Sequence, residues 1–242
     1  MTLSAAPTGQ THSMAVTSDH DSDPERFRLA GRVTRRYLIG ARSLHDRVAS
    51  KLLEAGATRV LDIGCGEGAL HDALPRAARL RLVGLDASAA LLRAHPRPKV
   101  QADARLLPFR AETFDAAVMV NMLHHLDDPM AALKEARRVL APGGVLLASA
   151  ISRADSPELA PVWRPDPTPF DAEEAPARVC EVFADVEVER WDAPLITLPD
   201  RDAIRDYLVA RNMSRAEAAE CSEHLRTPLP VTKRGCLILA RR

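Results

Sequence analysis

Cysteine is scarce in this chain. The 242 residues hold four, Cys65, Cys180, Cys221 and Cys236. No two of them have C-x-x-C or any other metal-ligand spacing, so neither a zinc site nor a disulfide framework is expected, and no metal is assigned. An excess of one charge is also missing. The 33 basic and 33 acidic residues cancel to a formal net charge of +0, which excludes a global bias toward nucleic acid or an anionic surface. Long apolar runs are absent. Ala116 to Val120, among the longest, covers five residues, where a bilayer span needs about twenty. No basic start followed by an apolar run opens the chain, so no signal peptide is expected and the location expected is cytoplasmic.

What is present is an ordinary globular composition, 46% hydrophobic, in a chain long enough for one α/β domain with a substantial core. Residues 1–24 carry almost no large apolar side chains and read as a disordered tail. Residues 25–242 read as a single domain. Its first part, 25–57, is a helical cover with six arginines between Arg26 and Arg42 and a helical apolar face at Leu44, Val48, Leu52 and Leu53. Strands and helices then alternate through 58–150: strands at 58–63, 81–85, 99–102, 114–120 and 145–150, and helices at 67–78, from Ser88, and at 130–140. Pro142-Gly143-Gly144 breaks the last of these helices. This alternation predicts a doubly wound α/β sandwich, a mostly parallel sheet with helices on both faces. The remainder, 151–242, reads as the substrate side. It begins with six prolines between 152 and 176, expected to form a loop or lid. A half-exposed strand at 183–191, helices capped by Asp200 and Ser214, and a last strand at 236–240 complete it.

The chemistry concentrates in Asp62-Ile63-Gly64-Cys65-Gly66-Glu67-Gly68. Three glycines at alternate positions follow a buried strand, where a ligand can approach the backbone closely. In an open α/β sheet this turn faces the ligand crevice at the C-terminal ends of the strands. Asp62, Asp86 and Asp103 each sit at such an end. Asp86 lies 22 positions after Gly64, suited to accept bonds from both hydroxyls of a ribose. Asp103 could take an exocyclic adenine amine, and Asp62 could help hold an ammonium group. These acids fit a cationic ligand with a ribose. They disfavour a dinucleotide, whose pyrophosphate Asp62 would repel, although Gly64 to Ala69 satisfies the loose G-x-G-x-x-A pattern.

Five motifs in order over 58–150 resemble those of class I S-adenosylmethionine-dependent methyltransferases, in the style of the quinone-biosynthesis C-methyltransferases. They are Val60 to Gly68, Val83 to Ser88, Ala102-Asp103-Ala104 with Leu107-Pro108-Phe109, Phe114-Asp115 with Leu123 to Leu126 and Asp128-Pro129, and Arg138 to Gly144. The resemblance implies a seven-stranded sheet with an antiparallel last strand and S-adenosylmethionine as cofactor. It also implies cofactor contacts from Asp62, Gly64, Cys65, Gly66, Asp86, Ala87, Asp103, Ala104 and Asn121. His124 and His125 are candidates for a general base. The pair recurs in the family across very different substrates, which favours a pocket-shaping role. The expected reaction is methyl transfer to a small molecule, its acceptor atom open. A methyltransferase of RNA or protein is the alternative. It lacks the Asn/Asp-Pro-Pro-aromatic run of amino-methylating enzymes, because here Asn121 is followed by Met-Leu-His. An NAD-dependent oxidoreductase is a further alternative without a Tyr-x-x-x-Lys pair. A degenerate, non-enzymatic scaffold is disfavoured by the intact motifs.

Overall fold

The computed structural model describes residues 23–40 and 42–242. The tail expected at 1–24 lies outside the described residues except for its last two. Asp23 caps the first helix, α1 (Pro24–Tyr37), by accepting from the Arg26 amide, and Pro24 opens it, so the helical cover starts earlier than the sequence suggested. Helix α2 (Leu44–Glu54) follows behind a Ser43–Asp46 capping box.

The sheet is built from β1 (Arg59–Ile63), β2 (Arg81–Asp86), β3 (Lys99–Gln101), β4 (Phe114–Met119), β5 (Leu140–Ile151), β6 (Asp185–Leu198) and β7 (Leu229–Arg241). Their order is β3-β2-β1-β4-β5-β7-β6. β1 to β5 pair in parallel, and β7 runs antiparallel between β5 and β6. The seven-stranded sheet with an antiparallel last strand is therefore as expected. One face is covered by α5 (Pro129–Val139) and α6 (Ala175–Cys180), with Leu61, Ile63, Met119, Leu133 and Val179 in that core. The other is covered by α2 and α3 (Ala69–Ala73), over Val60, Val118, Leu147 and Leu237.

Several boundaries differ from the sequence reading. The helix expected over 67–78 is only α3. Gly68 holds a left-handed conformation at its N-cap, and Pro75 pushes Leu74 out of helical geometry at its end. β5 begins at Leu140, before the Pro-Gly-Gly, and a register shift against β4 absorbs those residues. β6 runs seven residues past Trp191, and β7 begins seven residues before Cys236.

That last difference matters for function. Trp191 and Gly235 stand level with Ile151, the end of β5. Residues 192–198 and 229–234 therefore reach past the C-terminal edge of the parallel strands, by about 20 Å at strand rise. On this extension sit α7 (Arg201–Val209), α8 (Arg215–Glu223) and the middle of α1, joined by Val33, Leu159, Ile196, Tyr207 and Val231. This third core caps the edge where the glycine turn lies. The proline-rich 152–176 segment is not loose. Leu159 and Phe170 are fully buried, and Ser156 and Glu158 bond to Thr232 on β7.

Candidate functional site

The glycine turn is held by the next strand. The amides of Gly64 and Cys65 both donate to the Leu85 carbonyl, at 2.7 and 3.1 Å. Gly64, Gly66 and Gly68 have φ of +73°, +54° and +97°, which side chains rarely adopt. Their surroundings are also closed. A Cβ on Gly64 would stand 2.6 Å from Met122 Cβ, one on Gly66 2.8 Å from the Phe27 ring, and one on Gly68 2.9 Å from Pro96.

Asp86, at the end of β2, braces this turn. One of its oxygens accepts from the Gly66 amide at 2.8 Å and the other from the Ser88 amide at 2.9 Å. Each oxygen retains a lone pair for a further donor. Ser88 in turn caps α4 (Ala89–Leu92) through the Leu91 amide. Ala87 between them is exposed.

Asp62 is the unusual member. It is 4% exposed, and no described residue donates a hydrogen bond to its carboxylate. Burial, then the nearby Asp86 charge, pushes its pKa up to about 7. Such a group is costly unless a cation or donor meets it. Cys65 is buried within the turn. Burial first, then the same two acids, drives its thiol pKa upward, so it stays protonated and unreactive.

The other expected residues line the same edge. β3 ends beside β2, where the Ala102 amide donates to the Asp86 carbonyl. Asp103 is exposed and engages Arg105 in a two-pronged ion pair, closest at 2.7 Å, which holds its carboxyl below the usual range. Ala104 next to it is buried. Asn121 follows β4 at φ +50°. Its amide donates to Ser149 Oγ at 2.9 Å, and that hydroxyl donates back to Asn121 Oδ1 at 2.9 Å. His124 and His125 form a short 3-10 turn after it, their rings tilted with centroids 3.9 Å apart. His124 is half-buried and His125 exposed. Arg138, from the fifth motif, fastens the 107–109 segment by donating to the carbonyls of Leu107 and Phe109 while paired with Glu135.

Four contributors were not legible in the sequence. Phe27 lays its ring against Gly66, and Arg28 pairs with Glu67 at 2.7 Å, so α1 covers the turn from outside. His95 is 4% exposed and packs on Gly68 and Gly84 from beneath. Its Nε2 has no partner among the described residues, and burial keeps the imidazole pKa low. Ser149 orients Asn121. None lies in a motif. Phe27 and His95 reach the turn from 39 and 27 residues away in sequence, and only the fold brings them there.

Residues 61–148 match the model of the Methyltransferase domain family. The chain is 36% identical over 127 residues to the ubiquinone/menaquinone biosynthesis C-methyltransferase UbiE of Syntrophotalea carbinolica, a match covering 47% of this chain and 52% of that one. It is 35% identical over 118 residues to a ubiquinone biosynthesis O-methyltransferase of Xanthomonas campestris pv. campestris, covering 45% and 48%. The chain thus spans about half the length of the relatives it matches. Among solved structures, a possible histamine N-methyltransferase from Thermotoga maritima aligns with a TM-score of 0.60 at 20% identity, over 92% of this chain and 97% of that one. The cyclase SpnF aligns at 0.57 and 21%, over 81% of each. At such identity the likeness establishes the fold, which hosts more than one chemistry.

Proposed function

We propose, on the premise that residues 61–148 form a class I S-adenosylmethionine-dependent methyltransferase domain, that the chain as a whole transfers a methyl group to a small-molecule acceptor. The observation that carries this reading is Asp62. A buried carboxylate without a described donor, with its pKa near 7, favours a positively charged ligand group at the glycine turn. It disfavours the pyrophosphate of a dinucleotide.

The residues present fit S-adenosylmethionine. Asp62 would face the ammonium of its methionine part, and Gly64 and Gly66 let that part approach the backbone. Asp86 has a lone pair free on each oxygen for the two ribose hydroxyls. Asp103 and Ala104 stand next along the edge for the adenine, and Cys65 and Ala87 complete the wall. For Asp103 to bond an adenine amine, it would share its oxygens with Arg105. Asn121, oriented by Ser149, would lie near the methyl group.

The cofactor supplies a methyl group already activated on a sulfonium. The protein's share is alignment and the exclusion of water. Phe27 and the cap on β6 and β7 would exclude water, and the backbone of the turn would fix the donor. His124 and His125 are the candidate bases for an acceptor that must lose a proton. The relatives include a C- and an O-methyltransferase of ubiquinone biosynthesis, which supports a small organic acceptor and leaves its reacting atom open. No described helix is long and apolar enough to cross a membrane. A cytoplasmic location is part of the proposal, supported by the bacterial biosynthetic relatives.

Incubation with methyl-labelled S-adenosylmethionine and fractionated cell extract tests this. Label is expected in small organic molecules. Label confined to RNA or protein, with none in the small-molecule fraction, would contradict it.

A further inference from the structure

The outer face of α1 has no part in the site. Val33 and, half-buried, Leu29 and Tyr37 turn inward to the cap. Arg32, Arg35 and Arg36 are exposed beside that inward face. Their spacing of three and four residues puts them on one stripe of the helix. The ion pairs of α1 are made by Arg26 and Arg28, and no described carboxylate lies within ion-pair distance of the other three. Arg36 does lie over the Tyr37 ring, at 5.5 Å from its centroid. Just beyond the helix, Ile39 is 51% exposed. It is held there, because its amide donates to the Leu195 carbonyl at 2.8 Å and Leu38 bridges to Ile196.

We propose that this face, Arg32, Arg35 and Arg36 with Ile39, docks the protein reversibly on an anionic lipid bilayer. Three guanidinium groups without carboxylate partners among the described residues complement a layer of lipid phosphates. The pinned isoleucine beside them has an apolar boundary to enter, which a nucleic-acid backbone does not offer. The patch is also short. From Arg32 to Arg36 the helix rises about 6 Å, whereas a nucleic-acid grip draws on roughly six to ten phosphate contacts. Each arginine near an anionic surface changes partitioning roughly fivefold, so the three together account for roughly a hundredfold. That is a weak, salt-sensitive hold, suited to peripheral binding. The proposal goes beyond methyl transfer and stands without it.

The test is co-sedimentation of the full chain with phosphatidylcholine vesicles, with and without phosphatidylglycerol, at low and physiological salt. Binding is expected only to the anionic vesicles and should weaken as salt rises. The combined Arg32→Gln, Arg35→Gln, Arg36→Gln variant should lose roughly a hundredfold in partitioning. Ile39→Ser should weaken binding while leaving the salt dependence unchanged. Circular dichroism and thermal unfolding should match the parent, since all four side chains are exposed. If the triple variant does not fold, Arg35→Gln alone, with roughly a fivefold loss, decides. Absence of binding to anionic vesicles at low salt would overturn the proposal. So would partitioning unchanged in the arginine variants, or single-stranded RNA binding that competes the vesicles off.

Discussion

Asp62 destabilises the free protein that carries it. Folding raises its pKa from the ordinary 3.8 to about 7, so the folded state keeps a proton that the unfolded chain releases. The stability associated with this group is full below pH 3.8 and is lost as pH rises toward 7. The slope is about 1.4 kcal/mol per pH unit and the total roughly 4 kcal/mol. Asp62→Asn should therefore stabilise the free protein at alkaline pH, by roughly 1–3 kcal/mol once the new amide's own burial is charged against it. Denaturant titration reads this. The same change should abolish or greatly weaken S-adenosylmethionine binding. In the parent, affinity should improve with pH up to about 7 and level off above it, because only the ionised carboxylate attracts the ammonium. Affinity that is flat from acid to alkaline pH would remove Asp62 from the site. The glycines give a paired comparison. A Cβ on Gly84 would lie 2.5 Å from the buried His95 ring, whereas one on Gly143 meets nothing within 4 Å. Gly84→Ala should cost roughly 1–3 kcal/mol by overpacking. Gly143→Ala should cost only about 1 kcal/mol for its positive φ. Equal losses in thermal unfolding would refute the distinction. At this scale the motif residues were readable, because a turn with left-handed φ admits little but glycine. Phe27 and His95 were not, because nothing local marks a side chain that reaches the turn through the fold.

Among elements, the cap depends on how the segment after β5 is fastened. Asp155 is 4% exposed and pairs with Lys233 of β7, while its other oxygen accepts from the Arg234 amide. Lys233→Met should leave a buried carboxylate held only by the Arg234 amide and the Ser156 hydroxyl, without its cation, and cost roughly 3 kcal/mol, measurable by denaturant unfolding. A change below about 0.5 kcal/mol would mean the pair is only a surface contact. The parallel strands and their helices were legible from apolar runs ending in Asp or Gly. The long β6 and β7 ends were not, since they hold Pro194 and Pro230, residues that a strand interior rarely admits. Pro194 sits at a register shift of an edge strand, and Pro230 lies beyond the end of β5, where β7 pairs on one side only. Both are places where a missing amide donor is tolerated. The short α3 was missed for the converse reason, its apolar pattern continuing past Pro75. α1 closes over the glycine turn through Phe27 and Arg28. Phe27→Ala should raise the KM for S-adenosylmethionine more than it lowers kcat, because the ring lies against the glycine turn. A fall in kcat with KM unchanged would assign Phe27 to the acceptor side instead.

On the scale of the molecule, a sheet edge holding three acids and a glycine turn is joined to a cap built on two overlong strands. The parts rich in motifs form the edge. The parts poor in motifs form the cap, where acceptor choice would be made, and a single sequence says little about them. The central claim is that the glycine turn holds a cationic adenosyl ligand, and calorimetric titration of the protein with S-adenosylmethionine and, separately, NADH tests it most directly. We expect one S-adenosylmethionine per chain, no heat from NADH, and loss of binding in Asp86→Ala, which keeps a cooperative thermal transition lowered by the two amide bonds it gives up. Saturable NADH binding with no response to S-adenosylmethionine, or unchanged affinity in Asp86→Ala, would contradict the claim.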